Sequence, residues 1–249
     1  MKQMNTFRPT GDSDTGVTIT ATTSAANFPV SNLKNIQPTK VWKSATLIEH
    51  IIKYDFGGSV TYNGMFLNRI NFAEFYVEKS TNDSDWVEVE HVTNQAKDEI
   101  ADENYSHRLI DITGTYRYLR VRIPTQTPIF NPTYFHIGNM LVGTVVTIWN
   151  PKSGYRVSEM PKRSITEFRS GYISSVKLGK TRRSFSGTFD KISIAEFTKI
   201  IKTYQPFVLY HEFDNDKTSV YLVMSIKEYI RDYFMHSHVS LPFTFEEIV

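Results

Sequence analysis

Apolar and polar residues alternate with a period of two along most of this chain, a pattern typical of half-buried antiparallel strands. The clearest run is Tyr116–Ile123, in which Tyr116, Tyr118 and Leu119 compete for the inward face and three arginines are left for solvent. Phe185 and Phe189 alternate with small polar residues in the same way. The pattern predicts a mainly β protein in both halves of the chain.

One segment departs from this period. Ser193, with Glu196 three residues later, has the spacing of a capping box at a helix N-terminus. The apolar residues that follow recur on one helical face: Phe197, Ile200, Ile201 and Tyr204. A single substantial helix is therefore predicted near residues 193–204, ended by Pro206.

Turn residues divide the chain into three parts. Residues 1–16 carry turn chemistry with little to bury, which predicts an N-terminal arm. Proline and glycine interrupt the β pattern within residues 148–155, and we place a domain boundary there. The predicted domains are residues 17–146 and residues 147–249, each long enough to bury a core.

Composition and charge narrow the classes of function. The 249 residues include no cysteine, so no disulfide or thiolate metal site forms, which fits synthesis in a reducing cytoplasm. Residues 1–16 lack the continuous apolar core of a signal peptide, and no stretch has the apolar length of a membrane span, so we do not expect a secretory or membrane protein. Residues 1–145 hold 13 basic and 15 acidic side chains (−2), and residues 146–249 hold 15 and 11 (+4). This balance does not suggest sequence-specific nucleic-acid binding.

The chain offers little catalytic or metal-binding chemistry. His236 and His238 share one strand face near Asp232, but spacing fixes no third ligand. Residues 214–216 read as a hairpin turn, because the rest of a calcium loop is missing. No hydrolase, zinc-protease or nucleotide-binding motif occurs. We expect no catalytic residue, no metal and no cofactor, although sequence spacing cannot exclude a pair of glycosidase carboxylates.

Several motifs occur in a recognisable order. Asp55-Phe56-Gly57 follows an apolar strand, which we expect to end in a tight turn at Gly57 and Gly58. Trp86 follows a polar turn, and Tyr116–Ile123 carries a Tyr-Leu-Arg-Val core. Over residues 25–143 this order resembles discoidin-like, or galactose-binding-like, domains, which implies an N-terminal β-sandwich of jelly-roll type. Trp42-Lys43-Ser44 stands where such domains place a tryptophan plug. Lys34-Asn35 replaces the family's Asp-Gly step, so the calcium site of some relatives is not expected here.

A closer resemblance is to modules of bacteriophage tails, through Ser31-Asn32-Leu33, Trp42-Lys43-Ser44 and a closing strand at residues 136–143. Residues 150–249 resemble the small antiparallel β-barrel or sandwich domain, with one helix, of distal tail and tail-tube proteins. The resemblance implies a virion structural protein made in the host cytoplasm, joining tail tube to tip or adsorption apparatus. Its expected partners are other tail proteins and further copies of itself in a ring, six-fold as first guess and three-fold as second.

The alternative interpretation is a carbohydrate-binding module that recognises a cell-surface glycan. Trp42 and Trp86 would then stack on sugar rings, whereas in the structural interpretation they plug the sandwich. The densest basic run offers candidate subunit or channel contacts, or else a solvated strand face: Lys177, Lys180, Arg182 and Arg183. In both interpretations the chain is a non-enzymatic protein.

Overall fold

The computed structural model describes residues 4–9, 17–35, 40–95, 106–129, 133–148, 156–167, 173–193, 207–211, 220–225, 232–235 and 238–247. Side chains are described within residues 17–35, 40–95, 106–129, 133–145, 156–158, 183–188 and 242–246. The fold is mainly β and its sheets are antiparallel, as the period-two pattern predicts.

The first part of the chain forms eleven strands and one short 3-10 helix. In order, they are β1 (Met4–Pro9), β2 (Thr18–Ala21), the 3-10 helix η1 (Val30–Lys34), β3 (Trp42–Lys43), β4 (His50–Val60), β5 (Gly64–Ile70), β6 (Phe75–Ser80), β7 (Val87–Val92), β8 (Ser106–Asp111), β9 (Tyr116–Ile123), β10 (His136–Ile137) and β11 (Asn139–Ile148).

Six described strands follow in the second part: β12 (Arg156–Glu167), β13 (Ile173–Ser193), β14 (Phe207–His211), β15 (Val220–Ser225), β16 (Asp232–Met235) and β17 (His238–Glu247). At 21 residues, β13 is much longer than an ordinary strand. It pairs with β12 along its first part and with β17 along its last.

Two large sheets organise these strands. One has five strands in the order β2-β4-β9-β6-β7. The other follows the order β12-β13-β17-β15-β14-β1-β11-β5-β8, with β16 beside β17, and within the described ranges it runs open from β12 to β8. A small β3–β10 ladder lies apart from both. Strand β1 pairs with β11 on one side and β14 on the other, so a single sheet spans both parts of the chain.

The core of the first part lies between the five-stranded sheet and the β11-β5-β8 section of the larger sheet. Inward side chains of β4 and β9, such as Ile52 and Val121, share one buried cluster with Leu67 and Met140 from the opposite layer. The Tyr54 hydroxyl crosses the core to donate to the Met140 carbonyl at 2.5 Å. Burial raises the pKa of this hydroxyl, so it remains a donor at any ordinary pH. This two-layer packing is the predicted β-sandwich.

The glycine step after Asp55 does not end its strand, contrary to the sequence-based interpretation. Strand β4 continues to Val60, and its pairing with β9 shifts register between Asp55 and Val60. Gly57 has a φ of 71°, and its N–H donates to the Asp55 carboxylate at 2.8 Å. The carboxylate and the left-handed glycine therefore produce an irregularity inside one strand rather than a turn between two.

The structure also decides which residues of β9 point inward. Leu119 is fully buried opposite Tyr54, whereas Tyr118 lies opposite Asp55 and is half-exposed. Tyr116 is buried as well, and its hydroxyl donates a hydrogen bond to the Tyr62 carbonyl. The inward residues are thus Tyr116 and Leu119, with an irregularity between them.

In the second part, the predicted strands are present where the structure describes them. Strands β14 and β15 pair antiparallel, the alternation around Phe185 buries that ring, and β17 closes the chain. Ser193, the predicted helix cap, is the last residue of β13, and residues 194–204 lie outside the described ranges. The division at residue 146 stays a prediction, although β11 runs through it. Among the described residues, no helix is long and apolar enough to cross a membrane.

Candidate functional site

Three separate segments meet at one end of the sandwich, and we call this region the loop end: residues 22–29, 42–49 and 133–136. The Ala25 N–H donates to the Lys43 carbonyl at 2.8 Å, and the Ser44 N–H donates to the Phe135 carbonyl at 3.0 Å. The Ser44 hydroxyl in turn accepts from the Phe135 N–H at 2.8 Å. These hydrogen bonds fix the three segments to one another, as a preformed site requires.

Trp42 forms the floor of the loop end. Its ring has no exposed surface, and its indole N–H is shared between the Thr23 carbonyl at 3.1 Å and the Ser24 hydroxyl at 3.0 Å. The ring of His50 approaches its edge at 5.9 Å. A fully buried, hydrogen-bonded indole presents no face to a ligand, which favours the plug interpretation of Trp42 over sugar stacking.

Lys43, the next residue, carries its ammonium group between two aromatic rings. The Nζ atom lies 4.1 Å from the centroid of Phe28 and 4.4 Å from that of Tyr134. It also donates to the Tyr134 hydroxyl at 3.2 Å. Both rings are half-exposed, so they are accessible to a ligand as well as to the lysine. We call these three residues, Phe28, Lys43 and Tyr134, the aromatic–lysine site.

Tyr134 is held from below by Asn71, which is fully buried. The Asn71 side chain donates to the Tyr134 carbonyl at 3.0 Å and accepts from the His136 N–H at 2.7 Å. Lys43 is fixed on the other side of the site, because it pairs with His136 in the β3–β10 ladder. The site is therefore built on anchored backbone at two of its three positions.

His50 supports the loop that begins at Ser44. Its Nε2 lies 2.9 Å from the Thr46 carbonyl, which can only accept, so Nε2 carries the proton. Its Nδ1 is buried without a hydrogen-bond partner among the described residues. Trp42 and Phe135 pack edge-on against the ring. A fully buried histidine packed between two aromatic rings fits a structural role in shaping this loop.

Trp86 lies elsewhere, on the solvent-facing surface of the five-stranded sheet, which we call the outer face. The Arg120 guanidinium stacks on its ring at 3.9 Å and donates from Nε to Glu78 at 2.7 Å. The indole is half-buried, and one ring face is covered by this contact. Asn82 caps the preceding turn by accepting from the Ser84 and Asp85 N–H groups. Sugar stacking by Trp86 stays a prediction.

The remaining cations of the outer face follow the same arrangement. Arg122 stacks on Tyr76 at 3.8 Å, with its Nε 3.5 Å from the Glu78 carboxylate. Tyr118 has two cations nearby, and each of them is bonded to a carboxylate. These pairs are Lys53 with Asp83 at 2.6 Å, and Arg117 with Asp55 at 2.8 Å. The hydrogen bond from Arg117 is the main reason that the pKa of Asp55 lies below its usual value.

The basic run of the second part lies on β13. Lys177, Lys180 and Arg182 are strand residues whose side chains lie outside the described set. Arg183 faces Glu159 across the ladder with β12, and only 3% of its surface is exposed. Contact with another subunit or with a channel stays a prediction for this run.

The described residues contain no group of three or more histidine, aspartate or glutamate side chains that could hold a metal ion. Residues 214–216 and His236 lie outside the described ranges, and His238 is known only as a residue of β17.

Sequence reasoning missed two members of the aromatic–lysine site, Phe28 and Tyr134. Each lies in a loop, so no periodic pattern places it beside Lys43, from which Tyr134 is separated by 91 positions. A weaker signal was available, because the neighbours in a strand point to opposite sides. If Trp42 is the plug, then Lys43 must face outward.

Comparison with known proteins gives neither a matching family model nor a matching curated protein. Among solved structures, a chitosan-binding module of a Paenibacillus sp. IK-5 chitosanase/glucanase is 21% identical, covering 51% of this chain and 92% of its own, with a TM-score of 0.41. The CBM32-3 module of a Clostridium perfringens family 31 glycoside hydrolase is 15% identical over 53% and 92%, with a TM-score of 0.42.

A further CBM32 module of Clostridium perfringens, solved with GalNAc-β-1,3-galactose, is 9% identical over 55% of this chain and all of its own, with a TM-score of 0.45. All three of these structures are carbohydrate-binding modules. At such identities and TM-scores, the likeness carries no conclusion about a ligand or an activity of this chain.

Proposed function

We propose that this chain is a non-enzymatic glycan-binding protein, and that the aromatic–lysine site at the loop end is where the sugar binds. The observation that carries the proposal is the placement of the Lys43 ammonium between the half-exposed rings of Phe28 and Tyr134. On the outer face, by contrast, the cations that contact the rings of Trp86, Tyr76 and Tyr118 are each paired with a carboxylate.

The chemistry of the site suits a sugar. A pyranose ring presents apolar C–H faces, which pack on aromatic rings, and hydroxyl groups, which need hydrogen-bond partners. Phe28 and Tyr134 supply the rings, and the Tyr134 hydroxyl supplies a group that both donates and accepts. Lys43 has three N–H donors and uses one of them on Tyr134. Two donors therefore remain for ligand oxygens.

The rigidity of the loop end supports the same function. Buried Trp42 and Asn71 fix the backbone on either side of the site, so little conformational entropy is lost when a ligand binds. Protein–sugar contacts are individually weak, and a preformed surface makes a measurable affinity attainable.

The test is a glycan array probed with the full chain, followed by calorimetric titration of the best ligand. Tyr134→Ala is expected to lower the affinity at least about tenfold, the equivalent of roughly 1.4 kcal/mol. The matched control is Tyr118→Ala, which removes a half-exposed, cation-flanked tyrosine from the outer face and should leave the affinity unchanged. Absence of any glycan binding, or equal losses in both variants, would contradict the proposal.

A second candidate function is a structural role in a bacteriophage tail, with the chain resident in the virion. The observation that favours it is the β12–β13 ladder at the end of the ten-stranded sheet. Its β12 is a 12-residue terminal strand within the described sheet, and long terminal strands can pair with another chain. Multi-angle light scattering and imaging of assembled particles provide the test. Symmetry-related copies around a channel would support this role, and a monomer absent from particles would contradict it.

A further inference from the structure

We infer that the glycan recognised at the aromatic–lysine site carries an acidic group, a carboxylate or a sulfate, that binds the Lys43 ammonium. This inference rests on the proposed function and adds the chemical class of the ligand. It depends on the local balance of charge, which differs from that of the whole chain.

Apart from Glu49 at its edge, the loop end is built from sequence that lacks carboxylates. Between Asp14 and Glu49 the chain contains no aspartate or glutamate but three lysines, Lys34, Lys40 and Lys43. Residues 124–135, which supply Tyr134, contain no charged side chain. Apart from Glu49, the last residue of the 42–49 segment, the segments that form the site therefore contribute only positive charge.

Glu49, the acidic residue nearest to Lys43 in the sequence, already contacts an arginine. Glu49 lies 3.6 Å from Arg122, which belongs to the outer face. Lys34 donates to the Val17 carbonyl, a neutral partner. Among the described residues, Lys43 forms its contacts with Phe28 and Tyr134 and no ion pair with a carboxylate.

Aromatic rings hold the ammonium without neutralising it. The attraction between a cation and a ring arises from the ring's quadrupole, so the pair keeps its full unit charge. An anionic group on the ligand would meet this charge at a fixed position, where the lysine has little rotamer entropy left to lose. A charge-assisted hydrogen bond of this type is stronger than a neutral one. We expect acidic glycans to bind roughly ten- to a hundredfold more tightly than their neutral parents.

The experiment compares matched pairs of glycans on one array, each acidic member beside its neutral parent: uronates beside the corresponding neutral sugars, sialylated beside desialylated glycans, and sulfated beside unsulfated ones. The full wild-type chain, Lys43→Met and Lys43→Arg are titrated against the best pair. Lys43→Met should remove the preference for the acidic member, whereas Lys43→Arg, which keeps the charge, should retain most of it.

Lys53→Met is the matched control. Lys53 also lies near an aromatic ring, that of Tyr118, but is bonded to Asp83, so its loss should not change the preference. Thermal melting of every variant checks the fold. The preference should also weaken as salt rises from 50 mM to 500 mM, through screening. Preferential binding of uronates and sialylated glycans alone would identify the acidic group as a carboxylate. Preferential binding of sulfated glycans alone would identify it as a sulfate.

The outcomes separate this inference from the proposal beneath it. Equal binding of acidic and neutral members, or an unchanged preference in Lys43→Met, would overturn the acidic-ligand inference and leave glycan binding intact. Absence of binding to every glycan would overturn both. Loss of binding in Lys43→Met for neutral and acidic members alike would assign Lys43 to sugar hydroxyls and would likewise overturn the inference.

Discussion

The outer face and the loop end use the same residue types to opposite effect. On the outer face, Arg120 and Arg122 stack on aromatic rings, and both meet the Glu78 carboxylate. At the loop end, Lys43 lies between two rings, and no carboxylate pairs with it among the described residues. The ring-stacked cations of the outer face are paired with carboxylates of that face, whereas Lys43 at the loop end has no carboxylate partner among the described residues.

This difference shows that a cation stacked on an aromatic ring is not by itself the mark of a binding site. The outer face has more such contacts than the loop end, yet they serve to hold a half-buried tryptophan and two tyrosines against the sheet. The informative feature is the absence of the internal counter-charge, because an internal carboxylate and an acidic ligand would compete for the same ammonium.

The largest expected effect comes from the floor of the loop end. Trp42→Ala removes a fully buried ring and should cost about 3–5 kcal/mol in the free energy of unfolding. Trp86→Ala, on the outer face, removes a half-buried ring and its stacking with Arg120. It should lower the free energy of unfolding by about 1–2 kcal/mol. Urea denaturation of both variants provides the measurement. Equal losses would mean that the two tryptophans play the same part.

An intermediate effect is expected when the outer face loses its shared carboxylate. The Glu78 side chain is only 11% exposed and lies against two guanidinium groups, so Glu78→Gln leaves Arg120 without an anion and Arg122 with Glu49 alone. We expect a loss of about 1–3 kcal/mol in the free energy of unfolding, measured by urea denaturation. Lys43→Met separates no ion pair, so its cost should stay below about 1 kcal/mol.

Glu88→Gln is the control for Glu78→Gln. Glu88 is exposed and lies opposite Glu78 on β7, and its substitution should change the stability by no more than about 0.5 kcal/mol. If Lys43→Met proved as costly as Glu78→Gln, the contrast between a closed outer face and an open loop end would be wrong.

The sequence allows prediction of those features that depend on local chemistry. Period-two alternation predicts the strands, and the Trp42 motif predicts a plug, because both depend on residues that are neighbours in the chain. The predicted strand end at Gly57 is wrong, because the strand continues through an irregularity to the pairing of Val60 with Tyr116, which lies on a distant strand. The aromatic–lysine site escaped prediction for the same reason: Phe28, Lys43 and Tyr134 become neighbours only after β3 and β10 pair.

The smallest expected effect concerns a single ion pair of the outer face, that of Asp55 with Arg117. Because the pKa of Asp55 is depressed in the folded state, the unfolded chain binds more protons at low pH. The pair's contribution is therefore complete above the unfolded pKa, about 3.9, and is lost as the pH falls through the folded value. With 30% of the Asp55 side chain exposed, its size should be on the order of half a kcal/mol.

Asp55→Asn isolates this contribution, since an asparagine oxygen can still accept from the Gly57 N–H and preserve the irregularity in β4. Urea midpoints of wild type and variant should differ by a constant amount between pH 5 and pH 7 and should converge as the pH falls from 4 toward 2. A difference that persists unchanged at pH 2 would show that the carboxylate charge is not its cause. Lys43→Met should show no such convergence, because Lys43 pairs with no described carboxylate that could be protonated.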